Sequence, residues 1–226
     1  MLIIDRKIVI VHLRKAGGTS FCRGLIDLLP PRRVEFYGYT REGEARSQAG
    51  ARAGGLWKHA KAREILALTG LRKDRTRVYL VSLRPYPERV ASFYFYCQRH
   101  HRKNSAKYPW IDGMSFSAYL RSPYVNEDTV PDFALGADGA LLVDEFVPYD
   151  RLEQTYRDLC AELGFPNQSL PRLNANPDQE QDYLSCYSAE DMTVLRKRFA
   201  AEEEFLRRLR AEGRLHRAAP DPSPAT

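Results

Sequence analysis

Residues 7–13 read KIVIVHL, and the chain passes from this β-branched run directly into the turn Arg14-Lys15-Ala16-Gly17-Gly18-Thr19-Ser20. A short apolar run of that kind marks a strand buried on both faces. An apolar-periodic helix follows at 21–29 and is stopped by Pro30-Pro31. Strand, glycine-rich turn and helix in immediate succession constrain the fold more than any other stretch, because they are the repeating unit of an α/β domain.

The alternation continues along the chain. Residues 32–55 are rich in Gly, Arg, Ser and Glu without a clear period, so a long loop is expected there, with one short strand near 34–39. Apolar spacing predicts a helix over 57–69, a second strand is RVYLVSL at 77–83, and a helix runs over 88–100 after a proline-bearing turn. One more short helix is expected over 112–121, a turn-rich stretch over 122–139, and a third strand at 141–147. An amphipathic helix follows at 151–164, then a loop at 166–178. Ser188-x-x-Asp191 opens a long helix to about residue 213 with a capping-box pattern. The expected architecture is a three-layer α/β/α domain with a central, mainly parallel sheet. A single domain is expected over 1–215, with 216–226, ending in DPSPAT, as a disordered tail.

The chain of 226 residues is long enough to bury a core without disulfides or a metal. Its four cysteines, Cys22, Cys97, Cys160 and Cys186, form no CxxC pair and read as small buried hydrophobes in a reducing compartment. No metal site is expected. No apolar run approaches the roughly 20 residues that span a bilayer. Asp5, Arg6 and Lys7 interrupt the N-terminal segment, which therefore does not read as a signal peptide. A cytoplasmic location is expected. The net charge of +6 suits nucleic acid, an anionic polysaccharide or a phosphate-bearing cofactor alike. No helix-turn-helix or zinc-finger pattern supports nucleic acid.

The first turn carries the chemistry. Gly17 and Gly18 allow close backbone approach, and the following helix offers unpaired N–H groups and a positive dipole end. Lys15 adds a mobile charge, Arg14 a second, and Thr19 and Ser20 add hydroxyl donors. The order differs from GxxxxGK[ST], in which the lysine follows the glycines beside the Mg²⁺-binding hydroxyl. In open α/β sheets ligands sit at the carboxyl ends of the strands, which brings this turn beside the one after the second strand.

The stretch His12-Leu13-Arg14-Lys15-Ala16-Gly17-Gly18-Thr19-Ser20 resembles the 5′-phosphosulfate loop of carbohydrate sulfotransferases that use 3′-phosphoadenosine-5′-phosphosulfate (PAPS), H-[IV]-P-K-[TC]-[AG]-G-[TS]-[TS]. Arg84-Pro85-Tyr86-Pro87-Glu88-Arg89-Val90-Ala91-Ser92 resembles their second motif, R-N-P-[YW]-[DE]-R-x-x-S, with Pro-Tyr-Pro replacing the Asn-Pro-aromatic centre. Trp57-Lys58-His59-Ala60 with Arg63-Glu64-Ile65, and Leu170-Pro171-Arg172-Leu173-Asn174, are similar to two weaker family segments. The resemblance implies a soluble, bacterial-type sulfotransferase with a P-loop-like domain. It implies a cofactor site at Arg14, Lys15, Ala16, Gly17, Gly18, Thr19 and Ser20, with Arg84 and Ser92 on the 3′-phosphate, and no metal.

The implied reaction is in-line attack of an acceptor hydroxyl, most simply a saccharide's, on sulfur. Lys15 and the loop N–H groups stabilise the transferring oxygens. His59 is the candidate general base, with Glu42, Glu44 and Glu64 as fallbacks, and His12 shapes the cofactor site. The basic run Arg99-His100-His101-Arg102-Lys103, with Lys107, Tyr108 and Trp110, is a candidate grip on an anionic acceptor, as against a solvated helix end. Tyr94 and Tyr96 are candidate cleft or core residues. Two rival readings stand beside this one. A P-loop phosphotransferase or ATPase would use Asp144-Glu145 for Mg²⁺, and a non-catalytic module would bind an anionic polysaccharide.

Overall fold

Two runs of buried alternating residues form the middle of the sheet: β2 (Ile8–His12) and β4 (Arg77–Leu83) pair in parallel, with Ile8 opposite Arg77 and His12 opposite Val81. Along β2, Ile8 and Ile10 enter one core while Val9 and Val11 enter the other. Along β4, Tyr79 and Val81 face the first core and Val78 and Leu80 the second. Both faces are therefore apolar, as a strand covered on both sides requires. β5 (Glu145–Pro148) extends the parallel set beyond β4.

The other edge is antiparallel. β1 (Leu2–Ile4) turns through Asp5 and Arg6, both at positive φ, and pairs with β2; β3 (Val34–Phe36) pairs on its far side. The order is β3-β1-β2-β4-β5. Only β1 opposes the other four, so the sheet is mixed and mostly parallel.

The computed structural model describes residues 1–171, 173 and 182–215. The expectations for Arg172, Asn174, much of the 166–178 loop and the 216–226 tail lie outside them.

Helices cover both faces. α1 (Gly18–Leu28) and α7 (Leu152–Glu162) bury Phe21, Leu25, Tyr156 and Leu159 against one face. α3 (Ala62–Thr69), α6 (Val130–Ala134) and the later turns of α8 (Ala189–Ala211) cover the other with Ile65, Phe133, Phe205 and Leu209. Each such side chain contributes about 1.5–3 kcal/mol by leaving water. A third, aromatic core joins α4 (Tyr86–Lys103), α5 (Phe116–Arg121) and the first turns of α8.

Several elements differ from expectation. α2 (Arg41–Ala53) stands where a long loop was expected. It buries only Gly43 and Ser47, so it has no apolar stripe, and it forms on a Thr40 cap that accepts from the Gly43 N–H at 3.0 Å. Residues 57–61 are not helical, and α3 starts at Ala62 with Glu64 accepting from the Lys61 N–H. α6 interrupts the turn-rich stretch, capped by Thr129. The last strand begins later than 141: Leu141 makes an isolated bridge to Leu135, and pairing with β4 starts only at Glu145. The Ser188 capping box forms as expected, the Asp191 N–H donating to Ser188 Oγ at 3.1 Å. Cys22, Cys97 and Cys160 are buried thiols and Cys186 is half-buried, all free.

Candidate anion-binding loop

β2 delivers Leu13, Arg14 and Lys15 to the carboxyl edge of the sheet, and α1 begins at Gly18. The first N–H groups of an α-helix have no intrahelical partner, so they face outward with the positive dipole end. The two glycines serve different ends. Gly17 caps the helix at φ 86°, a left-handed conformation costly for other residues. Gly18 has no room for a side chain, since a Cβ there would stand 2.4 Å from the His12 ring.

Three strand ends meet at this loop. A Cβ on Gly17 would lie 3.1 Å from Ser82 Oγ at the end of β4 and 3.2 Å from the Tyr149 ring after β5. Ser82 is fully buried, sits at φ 65° where the β4–β5 ladder slips register, and its hydroxyl has no hydrogen-bond partner among the described residues. Sequence reasoning passed over Ser82. Only its strained backbone and unpaired hydroxyl set it apart, and neither is written in a residue type.

Lys15, at φ 60°, lays its ammonium over the Tyr96 ring at 4.2 Å. Burial, with the Arg99 and Arg84 charges nearby, brings it down to about 8. Lys15 is thus close enough to Arg84 and Arg99 to be repelled by both. Arg84 is held by Glu88 at 2.7 Å and lies over Tyr149 and Tyr183, while Ser92 is buried further along α4. Ala16 is buried under the loop. Thr19 is half-buried in the first turn of α1. The Ser20 hydroxyl is engaged with Leu173, donating to its carbonyl and accepting from its N–H, both at 3.2 Å.

Arg14 turns away from the loop. Its guanidinium lies over Trp57, and its Nε stands 2.9 Å from Asp128 Oδ2. The two make an ion pair without a directed hydrogen bond, since neither atom has a hydrogen-bond partner among the described residues. Burial raises the Asp128 carboxyl, with the Arg14 charge opposing.

His59 is brought beside the loop through His12, their rings 4.9 Å apart edge to face, with Trp57 packed 5.3 Å away on another side. Its Nδ1 lies 3.4 Å from the His12 carbonyl. That contact assigns the proton to Nδ1 and leaves the lone pair on Nε2. Burial first, then the Met1 ammonium and other nearby cations, pulls His59 down to about 3. His12 has both ring nitrogens engaged, by Leu13 and the Met1 amino group. Of the fallback bases, Glu64 caps α3 and Glu44 pairs with Lys58 at 3.6 Å. Glu42 is exposed on α2.

Arg102 and Lys103 are exposed in the last turn of α4, where positive charge suits the helix dipole, and Lys107 is exposed in the turn beyond it. Of the basic run, Arg99 acts electrostatically on Lys15. Tyr94 is core, its hydroxyl donating to the Met114 carbonyl at 2.7 Å. Asp144 is at the opposite, amino edge of the parallel strands. It pairs with Lys73 at 2.6 Å and accepts from the Val78 N–H.

A cavity of about 510 Å³ adjoins the loop through Arg14 and is walled by Phe93, Tyr108, Trp110, Asn126 and Asp128. Another, of about 710 Å³, opens at the amino edge of the sheet, far from Lys15. Its main charges are already paired, as Arg33–Asp5, Lys73–Asp144 and Arg77–Glu162. No helix of the described residues is long and apolar enough to cross a membrane. Compared with family models, with curated proteins and with solved structures, the chain has no match in any of the three.

Proposed function

We propose that this chain is a PAPS-dependent sulfotransferase built on a P-loop-like domain. The observation that carries the reading is the charge of Lys15, which has no carboxylate partner among the described residues. Lys15 is desolvated, repelled by Arg84 and Arg99, and set at the N-terminus of α1 with two glycines clearing the backbone. A bound polyanion relieves all of these costs together.

The donor supplies the sulfuryl group: the acceptor oxygen bonds to sulfur as the bond from sulfur to the bridging phosphate oxygen breaks, leaving adenosine 3′,5′-bisphosphate. Lys15 and the N–H groups of Gly18 and Thr19 hold the phosphosulfate oxygens, and their charge counters that developing on the leaving oxygen. Arg84 and Ser92 hold the 3′-phosphate. This role requires Arg84 to exchange its Glu88 contact for the ligand. His59, neutral with its Nε2 lone pair free, takes the acceptor proton. Anionic charge arriving at the loop offsets the nearby cations and so raises His59 from about 3, against the burial that is the larger cause.

A phosphotransferase using Asp144 for Mg²⁺ finds less support, because that carboxylate is paired at the other edge of the sheet. Calorimetric titration separates the two. The bisphosphate is expected to bind in the micromolar range without Mg²⁺, and Lys15→Ala to weaken it at least tenfold. Binding of ATP with none of the bisphosphate would overturn the reading.

A further inference from the structure

Lys15 is a desolvated cation that no carboxylate holds among the described residues. The titratable groups that act on it are Arg99, Arg84 and the Cys97 thiol, which burial keeps neutral by pushing it up to about 12. His100 also feels Lys15; burial first, then Lys107, Lys103, Lys15 and Arg99, pull it down. None of these groups is negative, so simple electrostatics would drive the ammonium out to solvent. Its place is instead over the face of Tyr96, 4.2 Å from the ring centroid. A ring face carries the negative part of the quadrupole, and this separation lies inside the roughly 6 Å over which it draws a cation.

The ring itself is fixed. His100 packs 4.1 Å from it, Tyr108 stands edge-on at 6.0 Å, and Phe93 lies nearly parallel at 6.4 Å. Ser92, Tyr96 and Arg99 recur at helical spacing along α4. One face of that helix therefore carries the proposed 3′-phosphate residue, the ring beneath Lys15 and the arginine that acts on Lys15. The neighbouring Arg84 shows the alternative arrangement. Its partner is the Glu88 carboxylate at 2.7 Å, which an arriving anion must displace or meet. A ring supports a cation with no net charge of its own.

We propose that Tyr96 is a positioning residue of the anion loop: its ring holds the Lys15 ammonium in place and charged, without presenting negative charge to an incoming polyanion. The hold on Lys15 stands on the geometry alone, and the benefit to a polyanion rests on the sulfotransferase reading. Tyr96 acts through Lys15 rather than on the reacting atoms.

The test uses the full chain and two readouts. One is NMR titration of the Lys15 Cε resonance, assigned by its loss in Lys15→Arg; the other is calorimetry with adenosine 3′,5′-bisphosphate. Tyr96→Phe keeps the ring and is expected to keep both the midpoint near 8 and the affinity. Replacing that phenylalanine by its trifluoro and then its pentafluoro analogue drains the ring face at nearly constant shape. The Lys15 midpoint should fall step by step, by roughly 0.5–1 pH unit over the series, and the affinity should fall with it. Tyr96→Glu is expected to raise the Lys15 midpoint yet weaken the bisphosphate at least tenfold, two signs that damage to the fold does not produce together. A midpoint unchanged across the ring series would overturn the inference, as would a Tyr96→Glu variant that binds the bisphosphate like the parent. If the parent binds no bisphosphate, the proposed function falls and the benefit to a polyanion with it, while the ring series still decides whether Tyr96 holds Lys15.

Discussion

Arg89 Nη2 donates to Glu202 Oε1 at 2.6 Å, with both side chains about 1% exposed. Arg89 belongs to the same short motif as Arg84, yet it serves the scaffold. It ties α4 to α8 and donates to the Asp128 carbonyl, while its partner Glu202 accepts from the Val130 N–H. Burial raises the Glu202 carboxyl, and the Arg89 charge opposes that rise.

Removing one partner of this pair leaves a buried charge alone. Arg89→Ala is expected to cost about 3–5 kcal/mol in urea denaturation. The double variant Arg89→Met/Glu202→Leu should regain much of that loss. Equal stability of Arg89→Ala and the parent would contradict the role.

Gly17 and Gly18 are expected to fail differently. Gly17→Ala places an ordinary residue at φ 86°, costing about 1–2 kcal/mol. Gly18→Ala forces a methyl onto the His12 ring and costs about 1–3 kcal/mol. Gly18→Ala paired with His12→Gly, which removes both the Cβ and the ring that the methyl meets, should recover part of that loss, whereas Gly17→Ala should not respond to His12→Gly. Thermal melts of the four variants decide it.

Lys15 sets the pH dependence of anion binding. With the free-state ammonium at about 8, the loop is cationic below that pH and loses its charge as pH rises through it. Bisphosphate affinity should fall as pH rises above about 8. Lys15→Arg should move the decline to higher pH, because guanidinium stays protonated. Calorimetry between pH 6 and 10 reads the slope, and a flat profile for the parent would remove Lys15 from the site.

Asp191 sets an acid limit for the fold. Burial pushes its carboxyl up, but hydrogen bonds from Ser117, Arg121 and Ser188 outweigh it and bring the group down to about 2. A depressed folded-state carboxylate contributes stability above its unfolded value near 3.8 and loses it as pH falls toward 2. Arg121→Ala should therefore raise the Asp191 midpoint and reduce the acid sensitivity of stability between those values. NMR titration of the carboxyl carbon measures the shift.

His59 is expected to titrate near 3 in the free protein and at higher pH once the bisphosphate is bound. NMR of the imidazole reads both states. An unchanged midpoint on binding would detach His59 from the loop and argue against its role as base.

The strands at the centre of the sheet, the loop between β2 and α1 and the Ser188 cap were legible along the chain, because each is a local pattern: β-branched runs, adjacent glycines, a hydroxyl three residues before a carboxylate. The helix at Arg41–Ala53 was not, since it buries almost nothing and so shows no apolar period. β1 is three residues long and exists by pairing with β2 and β3, a fact of contact between segments. The reversal of that one strand, which makes the sheet mixed, follows from the same pairing.

The candidate site divides the same way. The residue types at 14–20 and 84–92 determined by themselves that the chain carries a basic, glycine-bearing turn and a second basic turn after a strand. Only the tertiary structure decided which of their side chains are free for chemistry. It gave Ser20 to Leu173, Arg89 to Glu202 and Arg14 to Asp128, and it left the Ser82 hydroxyl and the Asn126 amide buried without partners among the described residues. Whether a polar group is spent or unspent depends on what the fold places within hydrogen-bond reach. Those neighbours come from segments as distant as residues 20 and 173, so no local stretch of sequence encodes the answer.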